Sequence, residues 1–181
     1  MSDYLIWIGS LAAYNAGTLH GRWIDVGEAL ETTEDDVEEA AGLVMDEVRA
    51  ILADCPEHGE EWEAMDWEGV GSSVDLRWES FSEVCSLFLG IKRYGEVFAR
   101  WASERGPWSS ALLSFEDRYQ GSWRRLEDYG DDLAAVTVAW SSIPDELRSY
   151  FDLEAWVRDL EMNGDIDTIM VDGLIHVFWA A

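Results

Sequence analysis

A chain of 181 residues with 48% hydrophobic content is long and apolar enough to bury a core, which excludes disorder as a description of the whole. Its 38 Asp and Glu against 12 Lys and Arg leave a formal charge of -26, and a surface so poor in cations argues against direct nucleic-acid binding, which draws on Lys and Arg patches. Self-repulsion on this scale works against a compact state, so the acidity needs a reason, either adaptation to salt or a cationic partner.

In chain order, Tyr4-Leu5-Ile6-Trp7-Ile8, ending at Gly9-Ser10, predicts a short buried strand. Asn15, Gly17 and Gly21 mark turns, and Leu19 to Ile24 reads as a second strand. Thr33 with Asp36 three residues on approximates a capping box. Val37, Ala40, Ala41, Val44, Val48, Ile51 and Leu52 then form a helical stripe ending near Asp54-Cys55-Pro56, and the other face carries Asp35, Glu38, Glu39, Asp46 and Glu47. From Glu31 to Glu68 there are fifteen acids and one base, Arg49, so a net -14 of the -26 lies in about a fifth of the chain. Uniform salt adaptation predicts a more even spread, so the concentration favours a partner-facing surface.

The middle of the chain is predicted helical. Ser80 stands three before Glu83 as a cap, Val84, Leu87, Phe88 and Ile91 form the stripe, and Lys92-Arg93 followed by Gly95 close it. Val97, Phe98 and Trp101 give a shorter helix stopped by Gly106-Pro107, and Leu112, Phe115 and Tyr119 suggest one more before Gly121. Next, Leu126, Tyr129, Leu133 and Val136 share one stripe while Glu127, Asp128, Asp131 and Asp132 crowd the opposite side. Like charges four residues apart each cost a few tenths of a kcal/mol, roughly, so this helix either displays carboxylates to a partner or simply solvates its face. Ile143-Pro144-Asp145-Glu146 opens a helix through Leu147, Phe151, Trp156, Val157 and Leu160, capped by Gly164. Thr168–Val171 and Leu174–Trp179, joined by Asp172-Gly173, read as a hairpin.

Catalytic signatures are absent. His20, His58 and His176 stand alone, without a second His or Cys at metal-ligand spacing. Asn163-Gly164-Asp165-Ile166-Asp167 lacks the Gly and Glu positions of a calcium loop, and no P-loop, dinucleotide fingerprint or nucleophile elbow occurs. No cofactor, metal or enzymatic activity is therefore expected. Cys55 and Cys85, with no CxxC pair, read as reduced thiols. Met1-Ser2-Asp3 has no basic leader and no apolar run reaches spanning length, so a cytoplasmic protein without membrane contact is expected. The eleven tryptophans read mainly as packing residues.

The run from Tyr14 to Asp25, YNAGTLHGRWID, resembles the N-terminal signature of the ArdA-type antirestriction proteins of phages, plasmids and conjugative elements. Trp62 to Gly69 is similar to that family's acidic-aromatic strand, and Glu116-Asp117-Arg118-Tyr119-Gln120-Gly121 with Leu126-Glu127-Asp128-Tyr129 resembles its central block. Tyr150-Phe151-Asp152, Arg158-Asp159-Leu160, Gly164-Asp165-Ile166 and His176-Val177-Phe178 follow in the order of its C-terminal block. Residues 72 to 115 match less well, and Arg124-Arg125 places two positive charges directly before the acidic helix.

The resemblance implies an elongated α+β protein in three consecutive parts. These are an N-terminal three-stranded antiparallel sheet plus helix (1–71), a helical middle (72–115), and a C-terminal part with helices and a small sheet (116–181) through which it forms a homodimer. It further implies imitation of bent B-form DNA in the groove of a type I restriction-modification enzyme, on its methyltransferase core. The 52 charges of a dimer match about 90 Å of duplex, roughly 26 base pairs, at one phosphate per 1.7 Å. Asp35, Asp36, Glu38, Glu39, Asp46, Glu47, Glu127, Asp128, Asp131 and Asp132 would then act together as phosphate surrogates. Sequestration of another cationic DNA-binding protein, such as a repressor, stays open, as does a salt-adapted carboxylate metal enzyme.

Overall fold

A computed structural model describes residues 2–71, 74–103 and 105–180, and the chain divides between Leu113 and Ser114 into two compact units. The first holds a three-stranded antiparallel sheet in the order β2-β1-β3, built from β1 (Leu5–Ser10), β2 (Gly21–Asp25) and β3 (Trp62–Glu68). The apolar run made β1 the central strand, with Ile6 and Ile8 fully buried. A register shift between Trp7 and Ile8 sets Trp7 opposite Asp66 and Ile8 opposite Ala64, leaving Met65 as the extra residue of a bulge.

Two short helices in this unit have no counterpart in the sequence reading. They are α1 (Leu11–Asn15), capped by Ser10, and α2 (Val26–Thr32), capped by Asp25, whose side chain accepts from the Glu28 amide at 2.9 Å. Neither is long enough to show a stripe. The long acidic helix α3 (Val37–Ala53) forms as expected, but its cap is Asp36, which accepts from the Glu39 amide at 2.9 Å. Thr33 belongs instead to the end of α2, donating its hydroxyl to Ala29 O at 3.0 Å. A capping reading that began at Thr33 fails because one helix ends there just before the next begins.

The middle helices α4 (Phe81–Tyr94) and α5 (Glu96–Ser103) belong to this same unit. Phe88 of α4 meets Tyr4 at 5.4 Å between ring centroids, and Phe81 stacks on Trp62 at 5.0 Å. Ser80 caps α4 and Gly95, at φ 67°, ends it, both as expected. The boundary expected at residue 72 falls on Ser72 and Ser73, which lie outside the described residues, as does Met1.

Helix α6 (Trp108–Arg118) contains the division, and the second unit runs through β4 (Tyr119–Trp123), α7 (Leu126–Thr137), α8 (Asp145–Arg148), α9 (Leu153–Asn163), β5 (Ile166–Val171) and β6 (Leu174–Trp179). Its antiparallel sheet has the order β4-β6-β5. Tyr119, expected in a helix, starts β4, paired opposite Phe178 of β6, with its ring on Phe115 and Phe178 at 5.1 and 5.2 Å. The helix expected across residues 147–160 breaks after one turn, and Asp152 caps a new one by accepting from the Ala155 amide at 2.9 Å. Tyr129, Leu133, Val157, Ile166 and Val177 form the core, whereas Val136, placed on the buried stripe by periodicity, is 82% exposed. Asp172 and Gly173, both at positive φ, make the hairpin turn. The architecture is α+β, with one small sheet in each unit.

Candidate functional site

Each unit presents an acidic helix, α3 in the first and α7 in the second. α3 turns Ala40, Ala41, Val44, Val48 and Ile51 into the core, which fixes Glu38, Glu39, Asp46 and Glu47 on its exposed side. α7 does the same in the second unit: Tyr129, Leu133 and Ala134 are buried, Trp123 packs edge-on against Tyr129 at 4.8 Å, and Asp128, Asp131 and Asp132 stay exposed.

The ten residues singled out from sequence fall into distinct environments. Asp35 precedes the α3 cap, at φ 68°, and is only 27% exposed in its side chain, held by Lys92 at 3.1 Å and Arg93 at 3.3 Å. Burial works to raise its carboxyl, but hydrogen bonds from Lys92 and Arg93 outweigh that and hold it below the usual carboxylate range. It is a clamp between the α2–α3 turn and α4. Asp36 serves as the α3 cap. Glu38 accepts from the Ser82 hydroxyl at 3.0 Å, and its charge adds to burial in pushing the Cys85 thiol up to about 12. Asp46 pairs with Arg49 at 2.5 Å and Glu47 with Arg22 at 2.7 Å.

On α7, Arg125 reaches Glu127 at 3.1 Å and so relieves part of the helix's repulsion. Glu127 is held below its usual range first by its own backbone amide and then by Arg125. Asp132 accepts from the Trp123 indole at 2.8 Å. Glu39, Asp128 and Asp131 are exposed and take no ion pair among the described residues.

Folding also brings cations that the linear count missed. Arg22, Lys92 and Arg93 lie outside residues 31–68 but pair with acids inside them, so the local net of -14 becomes -11. Conversely, Glu28 and Glu31 on α2 extend the acidic surface, and no periodic signal marked that short helix. No cluster of three or more His, Cys, Asp or Glu among the described residues has the arrangement of a metal site, and no helix there is long and apolar enough to cross a membrane. Exposed carboxylates on rigid scaffolds can bind cations, or the cationic surface of another macromolecule.

An acidic α+β protein that presents carboxylates from well-packed helices is the class defined by this fold and surface. The chain matches the antirestriction protein (ArdA) family over residues 6–173, and it belongs to that family. No curated protein matches it.

Proposed function

We propose that this protein inhibits a type I restriction-modification enzyme as a DNA mimic, occupying the groove of the methyltransferase core without performing chemistry. The observation that carries this reading is the set of exposed carboxylates on α3 and α7, held by core-packed helices so that little ordering remains to be done on binding. On α7 successive acids three to four residues apart rise about 4.5–6 Å, one to two steps of the roughly 3.4 Å per phosphate of one DNA strand, and on α3 Glu39 and Asp46 stand about 10.5 Å apart, about three steps. Lys and Arg that normally meet phosphate would meet these groups, with an attraction that salt weakens. The protein acts as a homodimer in the host cytoplasm, which doubles the acidic surface.

The direct test is displacement of a fluorescent DNA duplex from a type I methyltransferase core, followed by anisotropy at low and high salt. Stoichiometric displacement that weakens with salt is expected. A folded protein that displaces nothing at low salt overturns the reading and leaves the surface to a different partner.

A further inference from the structure

The first unit carries a cleft of about 530 Å³ bounded by β2, α2 and α3. Its lining is mixed: Leu43, Val44 and Ala29 are apolar, while Glu28, Asp46 and Glu47 are acidic. Four consecutive residues, Arg22 to Asp25, border it because β2 is the outer strand of the sheet. The Ser10 amide donates to His20 O at 2.9 Å and the Val26 amide to Tyr4 O at 3.0 Å, so the even-numbered positions of this strand bond to β1. By the alternation of an antiparallel ladder, Gly21 and Trp23 turn their backbone groups outward, where no strand lies beside them, while the Asp25 carbonyl opens α2. A guanidinium already stands at the mouth: Arg22 donates to the Glu47 carboxylate at 2.7 Å and leans on its carbonyl at 3.5 Å, with 45% of its side chain exposed.

We propose that this cleft receives an extended, arginine-bearing segment of the protein partner, its backbone along the free edge of β2 and one guanidinium in the place that Arg22 now holds on Glu47. The inference rests on the reading that the acidic surface faces a cationic protein, and it adds a defined seat to that diffuse attraction. Two features select the occupant. The outward backbone groups take a strand, as in recognition by β-strand addition. The apolar and acidic walls take a side chain with an aliphatic stem and a cationic head. Arg22 is then an internal competitor that the incoming arginine displaces.

The test uses the full chain and a short fluorescein-labelled peptide of alternating arginine and valine. Arg22→Gln and Arg77→Gln each remove one positive charge, but Arg77 pairs with Asp75, away from the cleft. Binding to Arg22→Gln is expected to be tighter than to Arg77→Gln by about three- to fivefold, the weight of one partly exposed ion pair. Methylating alternate peptide amides, which keeps the charge and removes the ladder donors, is expected to weaken binding about tenfold. Equal affinity for the two variants, or indifference to methylation, overturns the seat. Displacement of duplex DNA from the methyltransferase core, measured on the same two variants, then shows separately whether the mimicry reading survives.

Discussion

Replacing Asp35 by Asn separates a carboxylate that serves the fold from one that serves a partner. Asn tolerates the left-handed backbone that Asp35 adopts, at φ 68°, so the substitution removes charge without adding strain. What it loses is the clamp to Lys92 and Arg93, whose side chains are 32% and 43% exposed against 27% for Asp35. Each partly screened pair contributes about 0.5–1 kcal/mol, so the loss is about 1–2 kcal/mol, with two cations left facing one another. At about 4 °C per kcal/mol for a unit of this size, the melting temperature should fall by about 4–8 °C at pH 7. The folded carboxyl lies below its ordinary value of 3.8, so the clamp's contribution is complete above that value and is lost as pH falls through the folded one. Melts followed by circular dichroism should therefore show a gap between wild type and Asp35→Asn that is constant near neutrality and closes in acid. Inhibition of the restriction enzyme at a temperature where both are folded should be unchanged. An Asp35→Asn protein that melts with wild type, or that stays folded but fails to inhibit, would refute the assignment.

Gly90→Ala should destabilise the first unit by about 1–3 kcal/mol despite the helix propensity of Ala, because a Cβ there would lie 2.0 Å from the buried Phe98 ring; a denaturant titration reads it. Native Cys85 should resist iodoacetamide, since its buried thiol is pushed up to about 12; rapid labelling of the folded protein seen by mass spectrometry would contradict its burial. Single neutralisations such as Glu39→Gln, Asp128→Asn or Asp131→Asn should change inhibition by less than about twofold, while the triple variant should lose about tenfold and show a shallower salt dependence. One of these singles abolishing inhibition in a folded protein would mean that a specific contact, not shared charge, carries binding.

The sequence revealed whatever had a long enough period. The α3 stripe spans several turns, β1 is an unbroken apolar run, and Asp172-Gly173 supplies the two positive φ values that a tight hairpin needs, so each was legible. Elements of a turn or two were not. α1 and α2 begin on caps, Ser10 and Asp25, that also close strands, and a residue ending one element while starting the next gives no separate signal. Tyr119 was drawn into a helix by its spacing from Phe115, although the two rings stack across the join between α6 and β4. At the acidic surface the faces of α3 and α7 were readable from periodicity, but pairing was not. The partners of Asp35 lie 57 and 58 residues away in the chain, and only the packing of α4 against α3 brings them there.

That pairing refines the case for a partner. The two units carry net charges of -16 over residues 1–113 and -10 over residues 114–181, nearly equal per residue, so crude density does not distinguish a binding surface from a solubilising one. The helices do. α4 and α5 follow the ordinary rule, acid in the first turn and base in the last, with Lys92, Arg93 and Arg100 complementing the negative end of the dipole. α3 and α7 have acids in the first turn, where the dipole favours them, and no base in the last, a pattern they share with α2 and α9. Their cores are otherwise regular, with Tyr129 and Leu133 anchoring α7, and Asp36 caps α3, whereas α7 begins at Arg125 without a side-chain cap. A surface acidified only for solubility would have no reason to exempt α4 and α5. Acidity assigned helix by helix, with α2, α3, α7 and α9 left without a terminal base, instead fits faces left for cations that another molecule supplies.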